Sequence, residues 1–198
     1  MDLAEAAKLL EAAYEGKLGT KVETEINNQG AQAYLLKDKT LVIPGTNETA
    51  DWGNFNLNVS RGDSGRGWHA GFLRHAQLVY PFAKGGKAKR VIGHSLGAAS
   101  GQIVAASLGI PALCLASPRT LKGKTRFKGE SQIINLCRFD DAICFLPFAF
   151  LGFRHLGKVH WISPREMQSQ GSHRVADYIR ALAQGKVKPV LPADPILP

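Results

Sequence analysis

The run Arg90-Val91-Ile92-Gly93-His94-Ser95-Leu96-Gly97-Ala98-Ala99-Ser100 constrains this chain more than any other stretch. Val91 and Ile92 are strand formers, and Leu96 to Leu108 is rich in Ala and Leu, which predicts a buried strand, a sharp turn and a helix with serine at the turn. A G-x-S-x-G nucleophile elbow needs that setting. Glycines at 93 and 97 leave room where a Cβ would collide as strand passes into helix, and the turn lifts Ser95 Oγ above the sheet edge. At a helix N-terminus, backbone N–H groups are free to hold an oxyanion.

With 198 residues, 44% of them hydrophobic, the chain is predicted to form one domain with a core of its own. No stretch reaches the roughly 18 apolar residues of a membrane span, and the run Ala142 to Gly152 is broken by Pro147. The start, Met1 to Leu10, lacks the basic and continuous apolar regions of a secretory signal and spaces its leucines like an amphipathic helix. Cytoplasmic residence is therefore expected, with secretion by a non-classical route left open. Cys114, Cys137 and Cys144 are an odd number, the first two inside apolar strand-like runs, and read as buried free thiols. Without CxxC or HExxH spacing, no metal is expected.

A net charge of +9 favours anionic partners in general terms. However, the basic clusters Lys84 to Arg90 and Arg119 to Lys128 lie between elements with no interleaved aromatics to stack on bases, so they read as solvated faces and no nucleic acid is expected. Gly85-Gly86-Lys87 lacks the upstream glycine of a phosphate-binding loop.

Along the chain, the spacing predicts a helix over 2–15, strands near Lys21-Ile26, Gln32-Leu36 and Thr40-Ile43, and a Gly- and Asn-rich stretch from Pro44 to Gly67 with little periodicity. Helical spacing returns over Trp68 to Ala83. Strand 88–93, helix 96–108, strands 111–117, 131–137 and 158–162, and a last helix near 173–183 follow, before an irregular Pro-rich tail over 191–198. This alternation predicts a mostly parallel sheet with helices on both faces.

Serine at its own pKa is a poor nucleophile, so Ser95 needs a histidine base and an acid to orient it. In α/β-hydrolase order the acid and then the histidine follow the serine. Asp140 and Asp141 lie just past a strand, where a carboxylate emerges at the sheet edge; Asp177, Glu130 and Glu166 are the other downstream acids considered. The histidines after Ser95 are His155, His160 and His173, the last just ahead of the final helix. Gly62-Asp63-Ser64-Gly65 imitates a trypsin-like nucleophile motif, but that order needs histidine before serine and the first histidine here is His69.

From about Leu41 to Tyr178 the chain resembles the class 3 lipases, the fungal-lipase-like branch of the α/β-hydrolases. Leu41-Val42-Ile43-Pro44-Gly45-Thr46 resembles the family's strand ending in R-G-T, with proline in place of arginine, and Asp51-Trp52 its lid signature. Trp68-His69-Ala70-Gly71-Phe72 resembles its H-x-G-F, Gly93 to Gly97 its elbow, and Ala116-Ser117-Pro118-Arg119 its G-x-P-R. Asp141 to Pro147 parallels D-x-V-P-x-L-P with Cys144 replacing a proline, Phe153 to Gly157 parallels F-x-H-x-G, and His173 with Tyr178 parallels H-x4-Y. The resemblance implies a single α/β-hydrolase domain over 1–190.

The same resemblance implies that Ser95 is the nucleophile, Asp141 rather than Asp140 the acid and His173 rather than His155 the base. Thr46 and Leu96 would supply the oxyanion hole. The activity implied is hydrolysis of acyl esters through an acyl-enzyme, a serine lipase or esterase without cofactor, with an ester or lipid substrate and peripheral contact with a lipid interface. A phospholipase or galactolipase at anionic surfaces, and a silent binding module of the same fold, are the alternatives. Trp52, Phe55 and Leu57 fall on the lid and substrate-binding segment, but Gly53 and the asparagines at 54, 56 and 58 favour a small or loosely ordered lid and esters of short or medium acyl chains. Oligomeric state is left open.

Overall fold

Asp2 starts the first helix by accepting a 2.7 Å hydrogen bond from Glu5 N–H, and α1 (Leu3–Tyr14) turns its leucines and alanines inward. The computed structural model describes residues 1–46, 58–126, 128–163 and 173–183. Strands β1 (Val22–Asn28), β2 (Ala31–Leu36) and β3 (Thr40–Ile43) follow α1, then the short β4 (Val59–Ser60) and β5 (Gly67–His69). After them come α2 (Ala70–Gly85), β6 (Arg90–His94), α3 (Leu96–Leu108), β7 (Ala112–Leu115) and β8 (Leu121–Lys122). The chain continues through β9 (Ile133–Arg138), β10 (Phe153–Arg154), β11 (Lys158–Ile162) and α4 (Val175–Ala183).

The main sheet runs β1-β2-β3-β6-β7-β9-β11. Its five strands from β3 onward are parallel, and β1 and β2 form an antiparallel edge. Strand side chains alternate between two layers, as a period of two requires. Leu41, Ile43, Val91 and Ile133 join a core with α2 and α3; Val42, Ile92, Leu136 and Ile162 join another with α1 and α4. Helices therefore cover both faces of a mostly parallel sheet, as the alternation predicts.

A second sheet, β10-β8-β5-β4, is absent from the sequence reading. Its strands are two or three residues long, too short for periodicity to register. It also corrects a boundary. Trp68 and His69 belong to β5 and not to the helix, because Trp68 pairs with Ser60 on one side and Leu121 on the other; α2 begins at Ala70.

Cys114, Cys137 and Cys144 are free and buried, and among the described residues no helix is long and apolar enough to cross a membrane. The expected lid residues Trp52, Phe55 and Leu57, and the tail 191–198, lie outside the described residues.

Candidate active site

Parallel strands all end at one sheet edge, and the side chains following their ends collect there. Ser95 follows β6 with φ 57° and ψ −122°, a conformation a non-glycine residue holds only when its surroundings impose it. The surroundings are close. A Cβ on Gly97 would run into the carbonyls of Ile43 and Pro44, and one on Gly93 into the backbone of Gly97. Only glycine at both positions lets α3 leave the strand this sharply, pressed against the end of β3. That closeness also brings the Gly45-Thr46 loop beside the serine: a Cβ on Gly45 would lie 2.9 Å from Ser95 Cβ. Thr46 is exposed there, and half-buried Leu96 opens α3, where first-turn N–H groups have no intrahelical partner.

Asp141 follows β9 and caps the turn over 142–145, accepting from Ile143 N–H at 3.0 Å. His173 precedes α4. Its Nδ1 lies 3.0 Å from both carboxylate oxygens of Asp141, and its Nε2 lies 2.7 Å from Ser95 Oγ. The structure thus brings Ser95, His173 and Asp141 into one hydrogen-bonded line, from residues up to 78 positions apart in sequence. A hydroxyl beside an imidazole whose other nitrogen faces a buried carboxylate is arranged for proton removal from that hydroxyl.

Competing candidates are occupied elsewhere. Asp140 forms a two-pronged ion pair with Arg138 at 2.8 and 2.9 Å. His155 Nε2 lies 2.7 Å from the Ser117 carbonyl, and His160 sits within β11 opposite Leu136. Glu130 pairs with Arg154, Asp177 with Arg174 and Arg180, and Glu166 lies outside the described residues. Ser64 Oγ accepts from the Trp68 indole at 2.9 Å, so the protease-like tetrapeptide is a turn that holds a core tryptophan.

Several site residues escape sequence reasoning as functional groups. Tyr178 O–H donates to Asp141 Oδ2 at 2.9 Å and accepts from Arg138 N–H at 3.2 Å; burial pushes its pKa well up, so it stays a donor. Cys144, in the place of a family proline, packs its sulfur 3.4 Å from the same hydroxyl. Arg119 donates from its guanidinium to the carbonyls of Phe145 and Pro147 and from its main chain to Leu146 at 2.7 Å, clamping the turn beyond Asp141. Pro118-Arg119 was a readable signal for that clamp. Tyr14 and His94 also border the site, and nothing local marks Tyr14. Among the described residues no group of His, Cys, Asp and Glu is placed to hold a metal.

No protein-family model matches the chain, and no curated protein matches it. Solved structures do. Lipase II from Rhizopus niveus superposes with a TM-score of 0.66 at 21% identity, covering 80% of this chain and 77% of that one. The lipase of Rhizopus microsporus var. chinensis gives 0.64 at 18% identity over 80% and 71%. The triacylglyceride lipase of Rhizomucor miehei gives 0.59 at 20% identity over 80% and 77%. This chain has the α/β-hydrolase fold of fungal triacylglycerol lipases, the fold that the class 3 lipase resemblance implies.

Proposed function

We propose that the protein is a serine carboxylic-ester hydrolase, a lipase or esterase acting through residues 1–190 as one domain. The observation that carries this reading is the line from Ser95 Oγ to His173 Nε2 at 2.7 Å and from His173 Nδ1 to Asp141 at 3.0 Å. A related fold supports it: a triacylglycerol lipase with a serine-protease triad at its catalytic centre superposes with a TM-score of 0.56 at 22% identity, over 72% of this chain and 66% of that one.

In this reading Ser95 Oγ attacks the ester carbonyl as His173 Nε2 takes its proton. The carbonyl π electrons move to oxygen, and the oxyanion is held by backbone N–H groups of Leu96 and Thr46, the Thr46 hydroxyl adding a further donor. Collapse expels the alcohol, protonated by His173, and leaves an acyl-serine; water then repeats the cycle with His173 as base and frees the acid. Asp141, already holding Ile143 N–H and the Tyr178 hydroxyl, orients the imidazole and stabilises its cation.

Aromatic residues that flank Asp141 in the chain support an apolar substrate. Phe139 and Phe145 stack on Trp161 at 5.0 and 4.9 Å, and the exposed Phe148 and Phe150 stack on each other at 5.3 Å. Esters of short or medium acyl chains are the substrates this reading names, with peripheral contact at a lipid interface. The free, buried thiols support a reducing compartment, and cytoplasmic residence is the corresponding reading.

A chain-length series of nitrophenyl esters, run above and below the solubility limit alongside fluorophosphonate labelling, tests the reading. Hydrolysis with single-site labelling at Ser95 is the expected result. No labelling and no turnover of any ester would sink it.

A further inference from the structure

Beyond the three residues above, a second hydrogen-bonded line crosses the same site. Gly45 N–H donates to Tyr14 Oη at 2.6 Å, Tyr14 Oη meets His94 Nδ1 at 2.7 Å, and His94 Nε2 meets the His173 carbonyl at 2.8 Å. We propose that Tyr14 and His94 form a relay that locks the Gly45-Thr46 loop to the main chain of His173, making Tyr14 a positioning residue for the ester hydrolysis proposed above. The proposal rests on that reading for its kinetic consequence and on hydrogen-bond polarity for its geometry.

Polarity is forced at both ends. A backbone N–H can only donate and a backbone carbonyl can only accept. Tyr14 Oη accepts from Gly45, and because His94 Nε2 must donate to the His173 carbonyl, a neutral ring leaves Nδ1 to accept the single Tyr14 proton. His94 Nδ1 is then an acceptor, and the ring carries its proton on Nε2, where it donates to His173. One tautomer of a neutral imidazole satisfies every atom, whereas a charged ring would set two protons between Nδ1 and Tyr14. Burial keeps both groups in the required states: it pushes the His94 pKa down to about 3, and raises that of the Tyr14 phenol. The Tyr14 and His94 rings meet edge to face at 5.5 Å.

The relay adds a hydrogen-bonded link between the Gly45-Thr46 loop and His173, which otherwise meet through Ser95. His173 is held through its side chain by Ser95 and Asp141 and through its carbonyl by His94. Gly45 is held on its N–H side by Tyr14, and a Cβ there would meet Tyr14 Oη at 2.6 Å as well as the serine. Gly45 N–H is thereby used up, leaving Thr46 as the donor this loop offers an oxyanion. Tyr14 is the last residue of α1, which packs in one core with α4, the helix that His173 precedes. Base and oxyanion loop are thereby registered to each other through Tyr14 and His94.

Three measurements test this. In the wild-type protein, long-range proton–nitrogen NMR of the imidazole rings should find His94 neutral and protonated on Nε2 between pH 5 and 8; the Nδ1–H tautomer or a titrating ring overturns the relay. Tyr14→Phe, with active sites counted by fluorophosphonate, should lower kcat on nitrophenyl butyrate roughly tenfold or more while KM changes less than about twofold. A wild-type kcat overturns it. His94→Gln keeps a donor for the His173 carbonyl but loses the acceptor for Tyr14, so combining it with Tyr14→Phe should cost about as much as the worse single change; multiplying losses overturn the relay. Should Tyr14→Phe fail to fold, the NMR tautomer decides alone. A wild-type protein that hydrolyses no ester would refute the proposed function, while the His94 tautomer would still decide the relay.

Discussion

The two faces of the central sheet are built on different physics. Over one face, α3 buries every residue from Gly97 to Ala105, and its alanines and glycines let it lie flush on Ile43, Val91 and Cys114. Over the other, α1 and α4 cover Val42, Ile92 and Leu136 with leucine and valine, yet at the sheet's C-terminal edge this layer turns polar, with Tyr14 hydrogen-bonded to His94, His94 to the His173 carbonyl, and Tyr178 to Asp141 and Arg138. The first face sets position by exclusion of volume. The second sets it by satisfied donors and acceptors. Ser95 is placed by the first, and Asp141 and His173 by the second.

Separating chemistry from packing makes the largest test. Ser95→Ala should lower kcat on nitrophenyl esters at least on the order of 10⁴-fold while urea-midpoint stability stays within about 1 kcal/mol, since one hydroxyl leaves and no space changes. Gly97→Ala strikes the volume-limited face: the new methyl meets backbone carbonyls that no rotamer can move aside, so unfolding free energy should fall by about 3 kcal/mol or more. A stable, active Gly97→Ala protein would show that the elbow has slack. On the polar face, Tyr178→Phe adds no volume but takes its acceptor from a buried Arg138 N–H and removes one of the two hydrogen bonds to Asp141 Oδ2. It should cost about 1 to 3 kcal/mol in urea titrations and lower kcat, with the active-site count unchanged.

The smallest and most diffuse effect is on pH. Burial lowers the pKa of His75 to about 4 and that of His94 to about 3, from 6.5. Both are neutral when folded and take a proton when unfolded, so the unfolded state binds more protons below about 6.5. Stability is therefore full above that pH and drains away as pH falls toward 4 and 3, by about 2 kcal/mol per histidine at pH 5. His75 lies on α2, which puts one such histidine on each face. Its Nδ1 has no hydrogen-bond partner among the described residues, so His75→Leu should flatten the fall between pH 7 and 5 without touching the relay. An unchanged slope would mean that the polar face alone carries the acid sensitivity.

Much of the sheet was legible because its strands are apolar runs at regular intervals, and β3, α3 and β11 lie where their patterns place them. Ser95 was legible as an elbow residue because its two glycines fall between a strand pattern and a helix pattern, the setting such a turn needs. Asp141 and His173 could be picked from their neighbours only through a family resemblance, since no local property separates Asp141 from Asp140. The structure shows what does separate them, the Arg138 fork that turns Asp140 aside. The four-stranded second sheet was illegible because strands of two residues have no period, and Trp68 followed its partners across the sheet rather than its helical spacing.

Sequence alone determined the strand-turn-helix that carries Ser95, because steric demands at Gly93, Ser95 and Gly97 act over five residues and are written in those five. Only the tertiary structure decided which carboxylate and which imidazole face it, and that Tyr14 reaches His94 across 80 positions. Hydrogen-bond partnership of that kind depends on where helices come to rest on a sheet. That is settled by burial summed over the whole core and not by any residue's neighbours in the chain.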